Sequence, residues 1–215
     1  NLAGGTVITS ELSDVPVNYT LPTANGFQEG NRLPISSQDG FSDDVMAYVY
    51  NTGNNTDDCT SPGCYSYYSW HAATVGSGVN IATESANAPH SICPKGWKLP
   101  STYNGSGVPA ERTDTRALLI ALGGSNSIKD YNRNTSPTGS ELYSLLGPNT
   151  TTNLLLTGFY ENNSFKNGNR FGYYWSSTSA SSSDYARALY FDQTFISSAS
   201  RFDRHFGFTV RCLAK

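Results

Sequence analysis

The chain has 215 residues, of which 14% are charged, and a formal net charge of -3. That length suits one large domain and is enough to bury a core without metals or dense disulfides. The balance excludes a basic nucleic-acid surface and a polybasic lipid-binding patch, and no apolar stretch approaches the ~18 residues that a membrane span needs.

Ser, Thr, Asn, Gly and Tyr dominate, and 14 Tyr and 10 Phe supply large rings. Such a surface suits an extracellular protein with a loop-built recognition site, where Tyr adds contact area at low entropic cost. A neutral, soluble surface shaped by habitat has the same composition. Asn-x-Ser/Thr sequons begin at Asn18, Asn54, Asn104, Asn134, Asn149 and Asn162, and permit glycosylation without showing it.

In chain order, residues 1–40 read as short strands and turns, with G-T-V-I-T-S as a first strand and Pro16, Pro22 and Pro34 as breaks. Residues 44–50, D-V-M-A-Y-V-Y, alternate as a strand does. Cys59 and Cys64 then bracket C-T-S-P-G-C, where Pro62 and Gly63 supply a turn that can bring them within disulfide range. Cys93 and Cys212 remain as a long-range pair, and this even partition favours an oxidising compartment. A metal site is the weaker alternative, because the spacing is not C-x2-C and His71, His90 and His205 are scattered. Tyr65 to Ala73 reads as an aromatic strand.

Two helices follow. Thr113 or Asp114 can cap R-A-L-L-I-A-L, with Gly123 as terminator, and Ser140 can cap E-L-Y-S-L-L, stopped by Gly147 and Pro148. From Leu154 the pattern returns to strand: L-L-L-T-G-F-Y, then G-Y-Y-W-S-S-T, then Y-A-R-A-L-Y-F. In the last of these Ala186, Ala188 and Tyr190 share one face and Tyr185, Arg187, Leu189 and Phe191 the other. F-G-F-T-V-R-C-L closes the chain, with Phe206, Phe208, Val210 and Cys212 on one face. Strands, grouped helices and strands again define an α+β class.

S-I-C-P-K-G-W-K-L-P at 91–100, G-Y-Y-W-S-S-T at 172–178, G-F-T-V-R-C-L at 207–213 and Y-S-W-H-A-A at 68–73 stand in a fixed order. Together they resemble the Fibrobacter succinogenes major paralogous domain family, similar to a branch of the C-type lectin fold, over about residues 44–215. The resemblance implies a C-type-lectin-like, formylglycine-generating-enzyme-like fold: two helices with a mostly antiparallel, irregular β-rich core, as a single domain over 1–215. Residues 1–40 would be an extension or first strand, with Val7 and Ile8 meeting the last strand.

Two groups share that fold neighbourhood. Formylglycine-generating enzymes need reactive, copper-binding cysteines, whereas each Cys here has a use in a disulfide. The variable proteins of diversity-generating retroelements display a hypermutated C-terminal surface on an invariant scaffold. The string D-Q-T-F-I-S-S-A-S-R-F-D-R-H-F mixes aromatic, charged and small residues without a clean period, which suits such a segment over 179–206. A strand pair buried on both sides is the competing reading.

On this resemblance, Trp97 and Trp175 are core anchors, and Ala186, Leu189, Phe191, Gly207, Phe208, Val210 and Cys212 belong to the frame. The display candidates are Ala180, Ser182, Asp184, Tyr185, Tyr190, Asp192, Thr194, Ile196, Ser198, Phe202, Asp203, His205 and Phe206, with Asp192, Asp203 and Arg204 orienting a ligand. The expected function is a surface-displayed binding protein rather than an enzyme. It would have no cofactor and no metal, and its partner would be a protein or glycan on another cell or a virus host. The alternative is a non-diversified adhesin or envelope domain of the same fold. The pairs Asp43-Asp44 and Asp57-Asp58 read as solvated rather than as calcium ligands. His71 reads as a packed residue rather than a general base.

Overall fold

The computed structural model describes residues 32–33, 47–51, 66–75, 77, 86–102, 113–125, 127–128, 130–161, 164–180, 182 and 184–215. The expected first strand, the contacts of Val7 and Ile8, the Cys59–Cys64 bridge and the acidic pairs at 43–44 and 57–58 lie outside these residues.

The protein is α+β, with short helices and antiparallel sheets. In chain order the first elements are β1 (Arg32–Leu33), β2 (Ala47–Asn51), β3 (Ser66–Tyr68), α1 (Trp70–Ala73) and β4 (Trp97–Lys98). Next come α2 (Asp114–Ala121), β5 (Asp130–Tyr131) and α3 (Gly139–Leu146). The chain ends with β6 (Phe159–Glu161), β7 (Ser164–Lys166), β8 (Gly172–Ser179), β9 (Tyr185–Phe191), β10 (Ile196–Asp203) and β11 (Leu213–Ala214). The largest sheet has the order β5-β10-β9-β8, and β1-β2-β3, β4-β11 and β6-β7 form smaller ones. None of the described helices is long and apolar enough to cross a membrane.

The four-stranded sheet is covered on both faces. Along β8 and β9 successive side chains point to opposite sides, as the pleat requires. Tyr174, Leu189 and Phe191 pack with Ile196 against Leu119 of α2 and Leu142 and Leu146 of α3. Tyr173, Trp175, Ala186 and Ala188 pack against Trp70 and Ala73 of α1, Leu99, Phe159 and Phe208. Every residue of β8 is buried. Each large apolar side chain withdrawn this way contributes about 1.5–3 kcal/mol.

Register shifts divide this sheet. Trp175 faces Ala188 but Ser179 faces Ala186, so β8 advances four residues while β9 advances two. Between these two pairs the backbone of β8 turns from β9 to neighbouring loops. Ser177 N–H donates to the Pro100 carbonyl at 2.8 Å and Ser179 N–H to that of Ala86 at 2.9 Å. The Ser176 hydroxyl donates to the Arg187 carbonyl at 2.7 Å. In β10, Ser197 pairs with Tyr190 and Ser200 with Ala188, three residues against two. This is a bulge, and one extra residue turns all later side chains to the other face. Ile196 thus meets the helices while Phe202 packs on the opposite side.

Cys93 and Cys212 form the expected long-range disulfide, with Cα atoms 5.7 Å apart. Immediately after Cys212, β11 pairs with β4, Leu213 with Lys98 and Ala214 with Trp97.

Tyr65 to Ala73 is not one strand. Ser69 ends β3 and caps α1, its hydroxyl accepting from Ala72 N–H at 3.2 Å, so a side-chain cap overrides aromatic β propensity. Of L-L-L-T-G-F-Y only the end is strand, because Gly158 at φ +67 bends the chain beforehand. The closing segment is not a continuous strand either. It makes single bridges through Gly207, Phe208 and Thr209 before β11, although Phe206, Phe208, Val210 and Cys212 do share one apolar cluster. Trp97 is 45% exposed and anchors nothing, whereas Trp70 and Trp175 are buried.

Helix α2 starts at Asp114 with Thr113 as cap residue, and Gly123 at φ +95 follows its end. Helix α3 begins earlier than Ser140. Thr138 accepts from Glu141 N–H while Glu141 accepts from Thr138 N–H, a reciprocal capping box. Its first residue must be Gly139, since a Cβ there would lie 2.0 Å from the Thr194 carbonyl oxygen. Thr138→Ala is expected to cost about 1 kcal/mol, read as a lower denaturant midpoint. An unchanged midpoint would mean that packing against Thr194, not the cap, fixes this end.

Candidate ligand-binding face

The segment expected to carry the display residues is mostly a hairpin, β9 and β10, set inside the sheet. This placement divides the candidates. Ala180, Ile196 and Ser198 are fully buried and cannot meet a partner. Ile196 belongs to the helix-side core, and the Ser198 carbonyl accepts from the hydroxyls of Thr102 at 2.6 Å and Thr115 at 3.2 Å. Asp192 shapes the hairpin turn. One carboxylate oxygen accepts from Thr194 N–H at 2.6 Å, the Thr194 hydroxyl at 2.9 Å and Phe195 N–H at 2.8 Å. This is the side-chain mimicry of a backbone turn for which Asp is suited.

Arg204 is not an orienting group at the surface. It is buried, its guanidinium lies 4.3 Å from the centroid of the Trp70 ring, and its Nε donates to the Tyr185 carbonyl at 3.0 Å. Burial lowers its pKa to about 10, against the opposing pull of Asp184. It therefore stays charged at neutral pH. Next to it, His71 is buried and its ring stands edge-on to Trp70 at 5.9 Å. Burial, followed by the charge of Arg204, lowers the His71 pKa to about 3. An imidazole held so firmly neutral is a poor proton acceptor at neutral pH, as expected of a packed residue.

The remaining candidates fall on two faces. Tyr185 lies opposite Asp203, and Arg187 opposite Arg201, on the helix side of the hairpin. Arg201 sits over the Tyr185 ring at 4.5 Å, and Asp184, Arg201 and His205 are exposed. Ser182 stands half-buried before Asp184. On the other face, Tyr173 of β8, Tyr190 of β9 and Phe202 of β10 form a triangle of rings. Their centroids are 5.1 Å apart for Tyr173–Tyr190, 5.8 Å for Tyr190–Phe202 and 5.6 Å for Tyr173–Phe202. Phe208 lies beneath, 4.9 Å from Tyr173 and 5.0 Å from Phe202. Phe171 stacks on Tyr190 at 5.6 Å, Phe195 stands 5.9 Å from it, and Phe206 approaches Phe159 at 5.4 Å.

These rings grade from a buried floor, Tyr173 and Phe208, to half-buried Phe171, Tyr190, Phe195, Phe202 and Phe206. Burial, the neighbouring Tyr173 and Asp192 push the Tyr190 hydroxyl up to about 12, which keeps it a donor. Arg170, over Phe171 at 5.6 Å, and Asn167, donating to the Tyr173 hydroxyl at 3.3 Å, add polar groups at the rim. Rings held rigidly by their neighbours lose little entropy on contact and offer large flat areas. The sequence reading found Tyr190, Phe202 and Phe206 but missed Phe171, Tyr173 and Phe195. Phe171 and Tyr173 flank Gly172 ahead of the segment 179–206 to which the display residues were confined, yet the pairing of β8 with β9 places Tyr173 beside Tyr190.

No protein-family model, curated protein or solved structure matches this chain.

Proposed function

We propose that the chain is an extracellular ligand-binding domain on a C-type-lectin-like scaffold, with a protein or glycan as ligand. The observation that carries this reading is the array of half-buried rings on one face of the hairpin, above a closed aromatic floor. The Cys93–Cys212 disulfide supports an oxidising location. The chain acts as a binder rather than an enzyme on this reading. Its one described histidine with a large pKa displacement is neutral, packed and far below the working range of a base.

Screening the protein against glycan and cell-surface protein arrays tests the reading. A hit should weaken at least tenfold in Tyr190→Ala and in Phe202→Ser, in line with the ~2 kcal/mol or more carried by interface hot spots. The conservative variant Tyr190→Phe should separate ring contact from the hydroxyl. Hits indifferent to all three variants would place the site elsewhere.

A specific observation bears on how the surface arose. The bulge in β10 and burial on both faces account for the irregular period of this segment. That favours a non-diversified adhesin or envelope domain over a product of a retroelement. A reverse-transcriptase gene beside the coding sequence, with a near-copy of the DNA for residues ~175–213 differing at adenines, would reverse this preference.

A further inference from the structure

A cleft of about 720 Å³ lies between α2 and the C-terminal segment, lined by Tyr174, Leu154 and Leu189 of one apolar cluster and by Trp175, Val210 and Cys212 of the other. Its floor is Tyr174, Leu154 and Leu189, its walls include Leu118 and Trp97, and Arg211 stands at its rim. The volume falls within the range of small-molecule sites, which pair apolar walls with a few placed polar groups.

The polar groups here are unequal. The Tyr174 hydroxyl donates to the Leu155 carbonyl at 3.1 Å and accepts from Leu155 N–H at 2.8 Å, so the ring offers the cleft a face without unmet polarity. Asp114 also borders the cleft, but its carboxylate is paired with Lys98 at 2.7 Å and accepts from Ser101 N–H at 2.8 Å. Arg211 is exposed, and its guanidinium makes one long contact, to the Thr152 carbonyl at 3.4 Å. Among the described residues no carboxylate pairs with it. The cleft therefore combines an apolar trough, a neutralised acid and an unpaired planar cation shaped for bidentate binding of a carboxylate.

We propose that this cleft binds an amphiphile of the fatty-carboxylate class, its aliphatic chain on the Tyr174, Leu154 and Leu189 floor and its carboxylate on Arg211. A flexible chain fills an irregular trough by bond rotation, and Trp97, exposed at the wall, gains the apolar cover it lacks. The proposal is independent of the ligand of the aromatic face.

Titration with dodecanoate below its micelle concentration, followed by calorimetry and tryptophan fluorescence, tests it. Wild-type protein should bind dodecanoate at least tenfold more tightly than dodecanol or dodecyltrimethylammonium. Arg211→Gln should remove that preference while leaving dodecanol binding unchanged, and Leu118→Trp should block both ligands by filling the trough. Arg211 is a surface residue, so its variant keeps the test sound should the filled cleft disturb folding. Tyr190→Ala should leave dodecanoate binding intact. Absence of dodecanoate binding, an affinity unchanged in Arg211→Gln, or tighter binding of a peptide ending in a free Leu-Leu carboxylate would each overturn the assignment.

Discussion

Replacing Cys93 by Ala and Cys212 by Ser is expected to lower the unfolding free energy by about 5 kcal/mol on the chain-entropy model. The bridge spans 119 residues, so its loss returns a long loop to the unfolded ensemble. For a chain of this size that corresponds to a fall in Tm of about 10–20 °C, measurable by scanning calorimetry. Alanine is the choice at position 93 because Cys93 is fully buried, and a serine hydroxyl there would need a partner. The double variant is a cleaner experiment than adding a reductant, because it alters this bridge and no other part of the chain. A fall of under about 3 °C would mean that the β4–β11 pairing, Leu213 with Lys98 and Ala214 with Trp97, holds the two ends together unaided.

Arg204→Met is expected to cost about 3 kcal/mol. Methionine replaces much of the volume but forfeits the cation–π contact with Trp70, worth about 2 kcal/mol where desolvated, and the charged hydrogen bond to the Tyr185 carbonyl. The same variant has a second readout. The folded-state pKa of His71 is depressed to about 3, from 6.5 when unfolded, by burial first and Arg204 second. Below pH 6.5 the unfolded chain therefore takes up a proton that the folded chain refuses. Stability from this residue is complete above pH 6.5 and drains away as the pH falls towards 3. Removing Arg204 should raise the His71 pKa yet leave it below 6.5, because burial persists, and so flatten the loss of stability between pH 6 and 4. Imidazole NMR titration and denaturant melts at several pH values would show both effects. An unmoved His71 pKa in the variant would mean that the guanidinium charge is screened from the ring.

The sequence exposes what depends on period and punctuation. β9 follows from alternation, α2 and α3 from apolar runs closed by Gly123 and Gly147, and the long disulfide from the partition of four cysteines. What it hides depends on meetings across the chain. Nothing local distinguishes Trp70 from Trp97, and only the fold brings Arg204 over the first while leaving the second at the surface. The bulge in β10 is equally silent, because Ser197 to Ser200 are small residues that suit either side of a strand. Without it, a strict two-residue step puts Ile196 and Phe202 on one face, and the segment reads as disordered in pattern when it is ordered and shifted. Burial of Ala180 and Ser198 follows the same logic, since neither side chain declares its depth.

That one surplus residue in β10 makes length, more than composition, the variable that sets the aromatic face. Substituting Ser198 or Ala199 keeps the count, and Phe202 still stands beside Tyr190. Deleting either would rotate everything downstream by half a step, carrying Arg201 and Asp203 to the apolar side and Phe202 to the helices. The face can therefore change its chemistry letter by letter, but the spelling must keep its number of letters.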